Sequence, residues 1–208
     1  MDSHDDEGLV ALGGTLDPET LIKAYRAGIF PWSSDPVISW WSPDPRAIFD
    51  LDSWRPHRTV GRTARRSGWR FTIDRDFVAV MRACAQPSAA RPSTWITPDF
   101  ERSYAELHRR GLAHSVEVWA GDELVGGLYG VTLGGFFGGE SMFHRATDAS
   151  KAAVGFLIER LRAGGFMLCD AQVPTPHLSH LGAINIPRDD YLARLRRALA
   201  TSAELTAP

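Results

Sequence analysis

Cysteine is scarce in this chain of 208 residues, with only Cys84 and Cys169 present. The two lie far apart and no export signal accompanies them, which argues against a disulfide framework. Each reads as a reduced, small, buried apolar residue. Lysine is equally rare, 2 residues against 21 arginines. That bias suits bidentate phosphate contacts but equally follows genomic base composition, so it carries no functional weight by itself. No apolar run approaches the roughly 20 residues of a membrane span. The opening residues, Met1 to Glu7, are acidic where a secretory signal would be basic, so a cytoplasmic protein without a membrane role is expected. Acidic residues are missing between Asp52 and Asp74, where Arg55, Arg58, Arg62, Arg65, Arg66 and Arg70 all fall. This is a cationic stripe on a chain whose net charge is only −2. There is no internal repeat and no low-complexity tract.

What is present suffices for a folded core: 44% of residues are hydrophobic, enough for one large domain or two small ones. Six of the seven tryptophans (32, 40, 41, 54, 69 and 95) occur in the first 95 residues. With the loop-like stretch Gln86 to Ser93, this places a domain boundary near residues 90 to 96, giving an N-terminal unit over 1–92 and a C-terminal unit over 93–208. Asp17-Pro18 followed by Leu21, Ile22 and Tyr25 predicts a helix over 18–27 stopped at Gly28. Thr97-Pro98 with Phe100, Tyr104 and Leu107 predicts a second, ending at Gly111. Prolines make the Phe30 to Arg46 region an ordered loop with short strand. Ser115 to Trp119 and Leu124 to Val131 read as a hairpin turning at Gly121-Asp122. A strand from Gly135 to Gly139 follows, then a helix capped by Asp148, a strand from Phe166 to Val173 and a last helix from Asp189 to Leu199. Antiparallel strands followed by helix, strand and helix describe an α+β fold with helices packed on a mixed sheet.

Several residues carry chemical potential. Gly134, Gly135, Gly138 and Gly139 let backbone approach a ligand and place Glu140 and Ser141 at a tight, exposed bend; a mere strand bulge is the competing explanation. Gly139 to Phe143 resembles a nucleophile elbow, but Phe143 stands where the second glycine belongs, so a serine hydrolase is disfavoured. His177 and His180 lack the glutamate of a zinc hydrolase motif and read as structural, so no metal is expected. Asp170 and Gln172 are two apart in an apolar strand and need polar partners, which favours a site. Tryptophans near proline are usually core and arginine runs usually solvated. Together they resemble the footprint of single-stranded or terminal nucleic acid.

In combination these segments resemble the bacterial leucyl/phenylalanyl-tRNA–protein transferases. The similarity runs in one order from Gly8 to Gly14 through Tyr25 to Trp32, Trp40 to Arg46, Thr94 to Thr97, His114 to Trp119, Gly138 to Phe143, Asp170-x-Gln172, His177-Leu178 and Leu181 to Ala183. The resemblance implies a small N-terminal α/β domain and a C-terminal acetyltransferase-like domain. It implies transfer of Leu or Phe, with Met a further donor, from charged tRNA to proteins with N-terminal Arg or Lys, marking them for degradation. Asp170 and Gln172 match the family's catalytic acid and amide, and Glu140 its active-site glutamate. Trp32 and Trp95 match the pair holding the terminal adenosine, and Met142 and Leu128 match positions lining the aminoacyl pocket, with Ser141 beside them. His180 stands where the family usually has serine, and Thr15 where it has an acid.

The aminoacyl ester is already activated, so no cofactor is required and the chain is expected to act as a monomer. Gln172 would accept a hydrogen bond from the attacking amine while Asp170 orients and polarises Gln172. Glu140 would take the proton or bind a substrate ammonium group. Arg55, Arg58, Arg62, Arg65 and Arg66 would hold acceptor-stem phosphates. Two rival classes remain: an acyl-CoA N-acetyltransferase, for which no Gln/Arg-x-x-Gly-x-Gly/Ala segment precedes the helix near 149, and a non-catalytic RNA-binding module, which leaves Asp170, Gln172 and Glu140 idle.

Overall fold

A computed structural model describes residues 8–34, 37–56, 63, 66–87 and 93–206. Arg58, Arg62, Arg65 and part of the expected boundary loop lie outside them. Six helices and ten strands occur among the described residues, in the order β1 (Leu9–Leu12), α1 (Pro18–Arg26), β2 (Phe30–Ser34), β3 (Val37–Trp41), β4 (Arg46–Phe49), β5 (Arg70–Ile73), α2 (Phe77–Ala85), α3 (Pro98–Arg109), β6 (Ala113–Ala120), β7 (Glu123–Leu133), β8 (Phe136–His144), α4 (Ala149–Ala163), β9 (Leu168–Gln172), α5 (Pro176–His180), β10 (Ile184–Ile186) and α6 (Arg188–Leu199).

Local chemistry explains most of these boundaries. In α1 the Asp17 carboxylate accepts from the Thr20 amide and Pro18 opens the first turn, while Leu21 and Tyr25 are buried one turn apart. In α3, Pro98 again opens the helix and Phe100, Tyr104 and Leu107 form its buried stripe. Residues 77–85, unassigned from sequence, form α2 behind an Asp76 side chain that accepts from the Ala79 amide. Asp148 stands at the start of α4 as expected but makes no capping bond; its carboxylate is 2.7 Å from Lys151 Nζ.

Two sheets organise the chain. A three-stranded antiparallel sheet has the order β1-β3-β2, and Pro31 is tolerated because β2 lies at its edge. The seven-stranded sheet runs β10-β4-β9-β8-β7-β6-β5, and its one parallel pairing joins β8 to β9. The α+β class with a mixed sheet and packed helices is therefore as expected. The change from one sheet to the other falls between Trp41 and Arg46, because β4 and β5 are both strands of the larger sheet.

Alternation along the strands divides the core into two layers. Ile48, Tyr129, Phe136 and Leu168 join a cluster with Tyr25, Tyr104 and Tyr191 from α1, α3 and α6. Their chain neighbours Phe49, Leu128, Phe137 and Cys169 join a second cluster with Val154, Leu157 and Leu161 of α4. Period two thus puts helices on both faces of the large sheet. Cys84 and Cys169 are buried and remain thiols.

Candidate active site

The site lies where the two parallel strands part. The β8/β9 pairing ends at Gly138 and Asp170, yet both strands continue, to His144 and Gln172. The gap beyond the last pair opens a cleft of about 580 Å³, a volume suited to a small organic group. Trp32, Trp95, Leu128, Met142, Glu140, Ser141, Asp170 and Gln172 all line it.

Glu140 does not sit at a bend. It lies inside β8 at a bulge, since Tyr129 pairs with Ser141 and Gly130 with Gly139, leaving Glu140 as the extra residue. Gly130 permits this close crossing, because a Cβ there would meet Gly138 O at 2.4 Å and the Phe137 ring at 2.5 Å. The bulge turns the Glu140 carboxylate toward three partners. Its Oε1 accepts from Gln172 Nε2 at 2.9 Å and its Oε2 from the Tyr104 hydroxyl at 2.9 Å. The Tyr104 hydroxyl in turn shares a short hydrogen bond with the Tyr25 hydroxyl. Burial lifts the Glu140 carboxyl to about 7; hydrogen bonding to Tyr25, Tyr104 and Gln172 opposes the lift, and the Asp170 charge adds to it. The same burial, together with the Glu140 charge, keeps both phenols protonated.

Asp170 meets Gln172 through its backbone. It makes no bond to the Gln172 amide side chain. Arg46 Nε and Nη2 donate to its two oxygens at 2.9 and 2.6 Å, Tyr191 donates at 3.0 Å, and the Gln172 backbone N–H donates at 2.8 Å. That last bond holds Gln172 at φ 66, a left-handed conformation unusual for a residue with a side chain. Asp170 therefore shapes the backbone of Gln172, and Glu140 orients its amide. With one Nε2 hydrogen bonded to Glu140, the Gln172 carbonyl oxygen remains available to accept from a ligand.

Arg46 completes the base of this set. Only 1% of its side chain is exposed, and its guanidinium lies over the Phe30 and Tyr191 rings at 4.8 and 4.4 Å and donates to Gly28 O at 3.0 Å. Burial, the largest single influence, would weaken its hold on a proton, but the charge and hydrogen bonds of Asp170, with Tyr191 and Glu140, together outweigh burial and raise its pKa. Sequence reasoning gave no role to Arg46, Tyr25, Tyr104 or Tyr191. The available signal was an arginine heading the apolar strand Ala47-Ile48-Phe49; the tyrosines were indistinguishable from apolar stripe positions.

The remaining candidates separate. Cys169 lines the cleft, but burial first and the Asp170 charge second push its thiol pKa far up, so it is no nucleophile. Arg55 lines a neighbouring cavity rather than the cleft, and Arg66 is exposed. His180 Nδ1 is 2.6 Å from Pro176 O, so it closes its own helical turn. No group of three or more His, Cys, Asp or Glu able to hold a metal occurs among the described residues. None of their helices is long and apolar enough to cross a membrane.

An open, aromatic-walled cleft at the parting of two strands, ending on a carboxyl and an amide that grip each other, has the layout of a group-transfer enzyme. The family comparison makes that class specific. Residues 48–196 match the model of the leucyl/phenylalanyl-tRNA protein transferases and residues 14–44 match that of their N-terminal domain. The chain is 51% identical over 193 residues to the leucyl/phenylalanyl-tRNA–protein transferase of Shewanella denitrificans, covering 92% of this chain and 82% of that one. It is 48% identical over 205 residues to that of Shewanella frigidimarina, covering 97% and 87%. The solved structure of L-PGS from Bacillus licheniformis is a distant likeness, with 13% identity and a TM-score of 0.47 over 78% of this chain and 54% of that one. The chain belongs to the leucyl/phenylalanyl-tRNA–protein transferase family and is an aminoacyltransferase.

Proposed function

We propose that the cleft receives the esterified 3′-terminal adenosine of Leu-tRNA or Phe-tRNA between Trp32 and Trp95, with the aminoacyl side chain against Leu128 and Met142 and Ser141 beside it. The observation that carries this reading is the 2.9 Å contact of Gln172 with Glu140 in a cleft that both tryptophans also line. Stacking of a base on an aromatic ring contributes about 1 to 3 kcal/mol and asks nothing of the base's identity. The acceptor is the α-amino group of a protein beginning with Arg or Lys, and its extension marks it for degradation in the cytoplasm. Arg55, Arg58, Arg62, Arg65 and Arg66 hold phosphates of the tRNA.

The acceptor nitrogen attacks the ester carbonyl carbon, a peptide C–N bond forms and the C–O bond to the ribose breaks. A peptide α-amino group has a pKa of about 8, so much of it is already nucleophilic. Gln172 Oε1 accepts a hydrogen bond from the amine and aims it. Glu140, poised near neutrality, takes the amine proton and returns it to the leaving ribose oxygen. Alignment of two bound partners contributes roughly 7 to 11 kcal/mol of the barrier reduction. The test is to incubate the protein with radiolabelled Leu-tRNA or Phe-tRNA and a peptide beginning with Arg or Lys, with acetyl-CoA as the competing donor. Label in peptide from tRNA alone is expected; acetylation instead would overturn the reading.

A further inference from the structure

Beside the cleft lies a second cavity of about 170 Å³ whose lining includes Trp54, Arg55, Lys151, Ser179, His180 and Gly182. It adjoins the cleft, since Val154 lines both and His177 and Leu178 of α5 line the cleft while Ser179 and His180 line the cavity. Its walls are built firmly. Trp54 Nε1 donates to Leu181 O at 2.8 Å, and Gly182, at φ 91, lets the Trp54 ring close to where a Cβ would meet Nε1 at 2.9 Å. Arg162 Nη2 reaches from α4 to Trp54 O at 2.7 Å and ties this turn to the helix.

The charge of this cavity is one-sided. None of its lining residues is acidic. Arg55 is held in place by the carbonyls of Asp52 and Trp54 at 2.9 and 2.8 Å, and His180 by Pro176 O, so both are positioned by neutral oxygens. Lys151 keeps one contact, to Asp148 at 2.7 Å, and has two further N–H groups. Lys151 and His180 are also close enough to act on His177 at the cleft wall, so the cavity's basic side chains stand next to the cleft.

We propose that this cavity holds a phosphodiester of the donor's single-stranded 3′ end, gripped by Arg55 and Lys151, with His180 in its wall, while the terminal adenosine occupies the cleft. The proposal rests on the transferase reading for its ligand. It adds that the enzyme fixes the strand through backbone phosphate next to the reaction site as well as through the terminal base. Because every donor strand carries these phosphates, the cavity contributes positioning and no sequence preference.

The test compares two donors in single-turnover transfer to an Arg-initiated peptide: an aminoacylated CCA trinucleotide and 3′-aminoacyl-adenosine without phosphates. In Lys151→Gln and, separately, Arg55→Gln, the preference for the trinucleotide over the bare nucleoside is expected to fall about tenfold, the effect of one lost charged contact. Binding of uncharged CCA trinucleotide, measured by calorimetry, should lose about 0.7 from its log–log salt slope per phosphate contact removed. An unchanged donor preference together with an unchanged slope overturns the proposal. Inorganic phosphate binding in the cavity without any effect of either variant on the trinucleotide also overturns it, since the ligand would then be a free anion. A wild-type protein that transfers neither from these donors nor from full-length Leu-tRNA or Phe-tRNA overturns the proposed reaction instead, and the salt slope then decides the cavity by itself.

Discussion

Arg46 and Asp170, 124 residues apart, form a two-bond ion pair in which each side chain is only 1% exposed. Strand β4 delivers the cation and β9 the anion, and the two strands are hydrogen-bonded neighbours. Truncating one partner of such a pair leaves the other charged and buried, at a cost of about 3 to 5 kcal/mol. Arg46→Ala is therefore expected to lower Tm by roughly 10 °C, read by calorimetry at a chain of this size. Asp170→Asn, which keeps the shape and one acceptor but removes the charge, isolates the pairing: a loss of similar size is expected, and a negligible loss would mean that the charge pairing is unimportant.

Glu140 should impose a pH dependence with a definite sign. Its carboxyl is lifted to about 7 in the folded protein from 4.5. The folded state then binds more protons than the unfolded state between those values. Its stabilising contribution is complete below about pH 4.5 and is lost as pH rises through 7. Activity should move the other way: single-turnover transfer rises through pH 7 as the carboxylate forms, on top of the acceptor amine's own titration. Glu140→Gln should make the rise between pH 6 and 7 shallower and flatten the stability curve there. An unaltered rate profile would remove Glu140 from proton transfer.

Gln172 separates stability from chemistry. At φ 66 it occupies a backbone region that glycine enters without strain. Gln172→Gly should keep Tm within a few degrees of the wild type, because relief of roughly 1 kcal/mol of strain offsets the lost bond to Glu140. Transfer should nonetheless fall on the order of 100-fold, the scale of a lost contact that aims the reacting amine. Parallel melting and single-turnover measurements decide between this and a purely structural role.

Trp95 and Trp32 should act on donor binding without a salt signature. Trp95→Ala is expected to raise the Kd for a charged donor by about 1 to 3 kcal/mol, five- to more than a hundredfold. The salt slope should be unchanged, because no ion contact is lost. A changed slope would show that the tryptophan acts through the placement of neighbouring basic residues.

Legibility from sequence followed the range of the interaction. Asp17-Pro18 and Thr97-Pro98 announced helix starts that the structure bears out within a residue, since capping and the fixed proline φ are local. The hairpin from Ser115 to Val131 likewise appeared where alternation put it, as part of β6 and β7. The helix at 77–85 had a legible cap in Asp76 and went unassigned. Glycines 138 and 139 drew attention to Glu140, but they read as a bend because a bulge is defined only against its partner strand, here Gly130.

By itself the sequence determined the α+β class, the early helices and the family, and it proposed the short set Glu140, Asp170, Gln172, Trp32 and Trp95, which line one cleft. Tertiary structure alone decided how that set is wired. The Arg46–Asp170 pair, the Tyr25–Tyr104–Glu140 relay and the meeting of Gln172 with Glu140 join residues 32 to 124 positions apart. Such contacts depend on which strands become neighbours, and no local pattern of residue types encodes that neighbourhood. The physical reason is desolvation: a buried carboxylate is tolerable only where the fold brings a cation or donors to it, so the role of each acid follows from what surrounds it.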